Sequence, residues 1–314
     1  MKTGLRIALA LLALLVLSTA AVLVWSWAPD LPTTELEQRW AQPPSTFIEV
    51  QGLRVHLRDE GPRDDPTPLV LVHGTSASLH TWDGWTEELR TTRRVIRFDL
   101  PGFGLTGPNA ADDYSMAVYV RLVLALLDQL GVQRFVIGGN SLGGEVAWAT
   151  AHAAPHRVEK LILVDAAGYA FEPESMPLAF RVARTPGLSA LMGHLLPPGM
   201  VEKSVRNVYG DPSRVTPELV QRYSDLARRA GNRHALTVRM AQHNTGREQD
   251  ICDLKLPTLI VWGAHDRLIP PVNGKRFAAD IAGSQLVVFE GLGHVPQEED
   301  PAATVAVVQR FLQR

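Results

Sequence analysis

Residues 138–144 read Gly138-Gly139-Asn140-Ser141-Leu142-Gly143-Gly144, one hydroxyl among four glycines, between the apolar run "RFVI" (134–137) and the apolar, helix-like "EVAWATAHA" (145–153). A phosphate cradle of the P-loop kind would need Lys and then Ser or Thr after its last glycine, and Gly144-Glu145 supplies neither. A dinucleotide loop wants glycine at its first, third and sixth positions, but the third residue from Gly138 is Asn140. What remains is Gly139-x-Ser141-x-Gly143, a strand-to-helix turn so tight that side chains two residues to either side of the serine would collide with it. Such a turn lifts the serine oxygen above a sheet while the following helix aims its free N–H groups and positive dipole end at the same place. The competing reading is an ordinary glycine-rich turn with a solvated serine, so further residues have to decide.

The chain has 314 residues, enough for one large α/β domain, with 31 Lys and Arg against 33 Asp and Glu and a formal net charge of -2. That balance gives no field to attract nucleic acid, which is excluded as a partner. A single cysteine, Cys252, rules out internal disulfides and a cysteine metal cluster. The amino terminus is more informative. Ile7 to Ala28 carries no charge and is preceded by Lys2 and Arg6. As a helix it is long enough to cross a hydrocarbon layer of about 30 Å. Positive charge ahead of the span favours a single-pass anchor with the remainder on the extracytoplasmic, periplasmic side, and Trp25 and Trp27 suit the outer interface. The alternative is a cleaved signal peptide with Ser18-Thr19-Ala20 as its small-residue site and a secreted product. Residues 1–28 are therefore expected to be a membrane anchor or signal. Residues 29–45, "PDLPTTELEQRWAQPPS", are expected to be a polar, proline-rich spacer holding the domain off the membrane.

From Thr46 onward, short β-branched runs alternate with longer helix-period stretches, the pattern of an α/β fold with a mainly parallel sheet covered on both faces. Eight strands are predicted: "TFIEV", "RVHLRDE", "PLVLVHG", "RRVIRFD", "RFVIGG", "KLILVDA", "TLIVWG" and "QLVVFEG". Helices are predicted over Ser115–Leu130, stopped by Gly131, and over Pro301–Leu312. Between about Tyr169 and Asp250 no convincing strand occurs and prolines punctuate helical segments, so residues 169–250 are read as an inserted helical lid and residues 46–168 with 251–314 as the core. No repeat or low-complexity tract is present.

Chemistry in parallel sheets collects in loops at the carboxyl ends of strands. "PLVLV" is followed by His73-Gly74-Thr75, whose Thr75 N–H, with that of Leu142, would form a two-donor pocket for an oxyanion. The His73 ring itself is read as structural. "TLIVWG" is followed by Asp266, and "QLVVFEG" by His294. A serine hydroxyl is a poor nucleophile until a base takes its proton, and the base needs an acceptor to fix its tautomer and stabilise its cation. Ser141, His294 and Asp266 supply all three, in the chain order serine, acid, histidine.

Together, "HGTSAS", "DLPGFGLT", "GGNSLGG", "WGAHDRLIP" and "GLGHVPQEEDP" resemble the α/β-hydrolase superfamily from roughly Phe47 to the end, lid excepted. The resemblance implies Ser141 as nucleophile, His294 as general base and then acid, Asp266 as its orienting partner, and no cofactor. Dehalogenases and epoxide hydrolases of the superfamily carry aspartate at the position of Ser141 and are disfavoured. "GNSLGG" also resembles the elbow of carbon–carbon bond hydrolases acting on ring-cleavage products, although "TSASLHTW" departs from their glycine-rich run. The overall arrangement of anchor, triad and lid is similar to membrane-anchored monoacylglycerol lipases and related esterases.

Other residues have blander readings. Asp165 ends "KLILVDA" and is an alternative partner for His294, or simply the start of the lid. His152 and His156 have the i, i+4 spacing of a metal pair, but Pro155 interrupts and no H-E-x-x-H pattern exists, so no metal is expected. Asp99 to Gly104 shape a structural turn. Met176, Met192, Met200 and Met240 in the lid would line an adaptable acyl pocket or fill gaps between helices. The arginines from Arg181 to Arg247 form a solvated face or meet anionic headgroups. The expected function is a serine hydrolase of carboxylic esters, small or lipid-derived, working through an acyl-enzyme. The alternatives are a carbon–carbon bond hydrolase or cofactor-free perhydrolase with the same triad, and a non-catalytic binder that keeps the fold as a ligand pocket.

Overall fold

In the computed structural model, which describes residues 2–185, 193–242 and 248–314, the eight apolar runs form one sheet. The strands are β1 (Thr46–Val50), β2 (Leu53–Glu60), β3 (Leu69–Val72), β4 (Val95–Phe98), β5 (Phe135–Asn140), β6 (Val158–Val164), β7 (Thr258–Gly263) and β8 (Gln285–Phe289). Their order is β1-β2-β4-β3-β5-β6-β7-β8. β2 runs antiparallel to both its neighbours, and every pairing from β4 to β8 is parallel. The expected α/β architecture of an eight-stranded, mainly parallel sheet is thus present.

Helices precede the sheet as α1 (Lys2–Ser26) and α2 (Thr33–Trp40) and interleave with it as α3 (Asp83–Leu89), α4 (Met116–Gln129) and α5 (Leu142–Ala153). After β6 come α6 (Leu178–Ala183), α7 (Met200–Val208), α8 (Pro217–Ala227), α9 (Asn232–Ala241) and α10 (Glu248–Cys252). The chain returns to the sheet with α11 (Val272–Asp280), α12 (Pro296–Glu299) and α13 (Pro301–Leu312). Met192 and Arg247 lie outside the described residues.

Alternation within the strands builds two cores. Val70 and Val72 of β3 join Ile96, Phe98, Val123 and Phe277 on one face, under α4, α5 and α11. Leu69 and Leu71 join Val95, Trp85, Val305 and Phe311 on the other, under α3 and α13. Because both faces are covered, β3, β5 and β7 are buried at every residue, which is why they read as unbroken apolar runs.

Local signals fix the helix ends. Gly131, at φ +70°, follows α4 while its N–H and that of Val132 return to the carbonyls of Asp128 and Leu127, closing a Schellman turn. Pro301 opens α13 behind Asp300, whose carboxylate accepts the Ala303 N–H at 3.1 Å.

The segment 29–45, expected as a polar, proline-rich spacer, is folded in part against the domain. Its centre folds as α2 and docks on the domain: Leu36 is 1 % exposed and packs with Leu105 and Leu226. Arg39 Nη1 and Trp40 Nε1 both donate to Asp225 on α8, at 2.5 and 3.1 Å. Ahead of it, α1 contains an 18-residue apolar window of mean hydropathy 2.8 with no buried residue, and only Ser26 at its end is buried among the described side chains.

Candidate active site

The loops at the carboxyl edge of the sheet hold Thr75, Ser141, Asp165, Asp266 and His294. Ser141 sits between β5 and α5 at φ 55°, ψ -119°, a conformation costly for a residue with a side chain. The surrounding glycines explain how it is held. A Cβ on Gly139 would stand 2.0 Å from the Gly143 carbonyl oxygen, and one on Gly143 2.1 Å from that of Val72. Both obstacles are backbone, so neither position accepts a side chain. Gly138 differs: its nearest would-be neighbour is a Leu71 methyl at 3.2 Å.

His294 follows β8 and Asp266 follows β7. The His294 Nδ1–H donates to Asp266 Oδ2 at 2.7 Å, and both side chains are buried. Asp266 Oδ1 accepts the N–H groups of Leu268 and Ile269 at 2.8 and 2.9 Å, so the carboxylate is fixed from both sides. That arrangement leaves His294 Nε2 as the basic nitrogen. The Ser141 hydroxyl makes no hydrogen bond to this ring in the conformation described. The proton relay requires that contact to close on substrate binding, as is common for such pairs without ligand.

Two residues missed in the sequence hold the ensemble together. Asn140 Nδ2 donates to the carbonyls of Val164 (3.1 Å) and His294 (2.9 Å), tying the residue before the serine to the backbone of the histidine. Glu299, at the end of α12, accepts the N–H groups of Gly293 (2.8 Å), Gly210 (2.9 Å) and Asp211 (2.7 Å). It clamps the His294 turn to the stretch after α7. An amide in a glycine run and one acid among "QEED" gave no distinguishing signal beyond their closeness to Ser141 and His294.

The His73 loop lies against the elbow. A Cβ on Gly74 would be 3.1 Å from the Ser141 Cβ, and Thr75, Ser141 and Leu142 line one cavity. The Leu142 N–H opens α5 and is one of the donors a helix start leaves without an intrahelical acceptor. The His73 ring is wholly buried and serves the scaffold: Nδ1 meets the Gly74 carbonyl at 2.7 Å and Nε2 accepts the Leu100 N–H at 2.9 Å. Burial lowers its pKa, so it stays neutral. Asp99 is likewise architectural, accepting the N–H groups of Leu79 and Leu105 and the Nδ1–H of His56, each at 2.7 Å.

The cavity above Ser141 measures about 210 Å³. Phe171, Met176, Phe180, Met240, Leu268 and Ile269 give it apolar walls, so two of the lid methionines do face it. It also holds a polar pair, Arg239 Nη2 and Glu145 Oε2, 3.5 Å apart and both buried, which the sequence gave no reason to single out. Other lid arginines are paired: Arg222 with Glu298 and Arg233 with Asp30.

Asp165 is buried beside the pair. One carboxyl oxygen each of Asp165 and Asp266 and a ring nitrogen of His294 lie within 4.8 Å of one another. The spacing would suit a cation, but the donors do not fit one. Asp266 already accepts three N–H groups, and burial first, then the Asp266 charge, push the Asp165 pKa well above the usual carboxylate range, leaving a neutral acid. His152 and His156 do not share a helix face, since α5 ends at Ala153.

A sequence profile of the alpha/beta hydrolase fold matches residues 67–301. The chain belongs to the alpha/beta-hydrolase family. Within it, the chain is similar to 2-hydroxy-6-oxo-2,4-heptadienoate hydrolase of Pseudomonas putida, 32% identical over 271 residues that cover 83% of this chain and 93% of that one. Among solved structures, a meta-cleavage product hydrolase from Pseudomonas fluorescens superimposes with a TM-score of 0.73 at 27% identity, covering 85% of this chain and 97% of that one. A membrane phospholipase A superimposes with a TM-score of 0.75 at 26% identity, covering 100% of this chain and 98% of its own. This alpha/beta hydrolase therefore has relatives named for two chemistries.

Proposed function

We propose that this hydrolase cleaves carboxylic esters of apolar acids at a membrane surface, with Ser141, His294 and Asp266 as its triad. Ser141 Oγ attacks the ester carbonyl while its proton passes to His294 Nε2, and the N–H groups of Thr75 and Leu142 receive the oxyanion. The C–O bond of the ester breaks, the alcohol leaves with the proton from His294, and water releases the acid by the same steps reversed. The observation that carries this reading is the apolar cavity opening on Ser141 in a chain that begins with an unburied apolar helix. The likeness to the membrane phospholipase A, which spans this chain entirely, supports it. In this reading α1 anchors the chain as a single pass, with the catalytic domain on the extracytoplasmic side.

A second reading, carbon–carbon bond hydrolysis, is favoured by Arg239 in the cavity wall and by relatives whose names denote unsaturated acids. A guanidinium there suits a substrate carboxylate. Turnover of an acyl ester series, with and without micelles, against vinylogous diketone acids separates the two. Ester turnover that rises with micelles supports the first reading, and diketone cleavage without ester turnover replaces it. Ser141→Ala and His294→Ala should each lower turnover by about 10⁶-fold. A loss below tenfold in either, or no labelling of Ser141 by a fluorophosphonate, removes the triad and leaves a ligand-binding protein.

A further inference from the structure

Asp165 is the buried titratable group that the mechanism above does not use. It follows β6, one strand before Asp266, and its backbone is held at φ 43° by an N–H bond to the Val261 carbonyl (3.0 Å). Its side chain is 0 % exposed. Oδ1 accepts the Gly263 N–H at 3.0 Å, while Oδ2 is buried without a donor among the described residues. The groups facing it are Asp266, His294 and Glu299, of which Asp266 has both oxygens occupied by N–H donors. Two carboxylates this close in a buried site do not both ionise. A proton on Oδ2 turns the contact between two acceptors into an O–H bond from Asp165 to Asp266, which removes the buried orphan and steadies the residue that orients the histidine.

We propose that Asp165 is a reserve acid of the triad: it braces Asp266 through a hydrogen bond in the intact protein and becomes the acceptor for His294 when Asp266 is lost. The inference rests on the triad reading above. Geometry permits the exchange, because a carboxyl oxygen of Asp165 is at most 4.8 Å from a ring nitrogen of His294, and closing to hydrogen-bond distance takes a shift of about 2 Å or less. Chemistry permits it too. Removing Asp266 removes its charge and its hydrogen bond, two of the causes that keep Asp165 protonated, while burial remains; the pKa of Asp165 therefore falls, and an imidazolium forming beside it favours the carboxylate further.

The test compares fluorophosphonate labelling rates of the full-length protein in detergent for the parent, Asp165→Asn, Asp266→Ala and the double variant, across pH. Asp165→Asn should slow Asp266→Ala at least tenfold more than it slows the parent. The rate of Asp266→Ala should also rise with pH through an ionisation that the double variant lacks. Equal effects of Asp165→Asn in both backgrounds, or an identical pH profile for Asp266→Ala and the double variant, overturn the proposal. Should Asp266→Ala fail to fold, Asp266→Ser takes its place in the same cycle. Unaltered labelling of His294→Ala would instead sink the triad reading itself.

Discussion

Gly143→Ala tests the elbow most directly. The added Cβ would stand 2.1 Å from the Val72 carbonyl oxygen and 2.6 Å from that of His73, whereas 3.4 Å is an ordinary contact, so the β3 end and the start of α5 must part by roughly 1.3 Å. No rotamer relieves this, because every atom involved is backbone. Overpacking of this kind costs about 1–3 kcal/mol, and a rigid obstacle puts the change near the upper end. At roughly 2–4 °C per kcal/mol for a domain of 150–250 residues, the melting midpoint should fall by about 5–10 °C. The same parting carries the Thr75 N–H away from that of Leu142. Misplacement by about 1 Å can cost 10²-fold in rate, so fluorophosphonate labelling should slow by about that factor even well below the midpoint. Gly291→Ala is the control, since an added Cβ there meets nothing within 4 Å and φ is not positive; its effect should stay within about 0.5 kcal/mol. A Gly143→Ala protein that melts and labels like its parent would refute the packing argument for the elbow.

Asn140→Ala leaves the His294 carbonyl without its amide donor, while that of Val164 keeps the Ser141 N–H, and should cost about 1–3 kcal/mol in urea unfolding; no change would mean that water satisfies His294. His80 is held neutral, its pKa lowered to about 3 chiefly by burial and then by Arg222, so between pH 6.5 and 3 the unfolded chain binds a proton that the folded chain refuses. Stability should therefore fall as pH falls through that window, and His80→Gln should flatten the dependence by up to about 1.4 kcal/mol per pH unit; an unchanged slope would show that the ring is protonated when folded. Leu36→Ala should raise hydrogen exchange across Thr33–Trp40 more than across the sheet, and equal protection would show that α2 is held by its polar contacts alone.

The sheet was legible because strands buried on both faces have no polar face to dilute the apolar run, as in β3, β5 and β7. The site was legible where chemistry demands a residue type at a strand end: Ser141, Asp266 and His294 each follow a different strand, and the structure brings the last two into contact. Supporting residues were not. Whether Asn140 braces the site depends on which carbonyls face it, and those belong to residues 24 and 154 positions away. Glu299 is one acid in an acidic stretch until Gly210 and Gly293 meet beside it, where a Cβ on Gly293 would stand 2.4 Å from the Gly210 nitrogen. Asp165 was visible as a strand-end acid, but its proximity to Asp266 arises from the pairing of β6 with β7, two strands separated by the whole lid.

The linker shows the limit most clearly, because composition alone favours a solvated spacer for "PDLPTTELEQRWAQPPS". An eight-residue helix such as α2 is unstable in isolation, so its existence depends on partners that lie elsewhere in the chain. Those partners include Leu105 in the loop after β4 and Asp225 and Leu226 on α8, and the junction with α1 uses the segment between β6 and β7 as well. The Ser26 carbonyl accepts the Leu196 N–H at 2.8 Å, the Ala28 N–H donates to the His194 carbonyl at 3.0 Å, and the Trp27 and His194 rings stack. Arg233 on α9 donates to the Ala28 carbonyl and to Asp30, both at 2.7 Å. The same helix carries Arg239 and Met240 into the cavity above Ser141. With α1 in a bilayer, as proposed, the anchor holds one end of a helix whose other end lines the acyl pocket. Any lid movement that widens the cavity through α9 then works against the Arg233 contacts or turns the domain relative to its anchor. Under that proposal the segment between α1 and β1 supports the cavity through its contacts with α9.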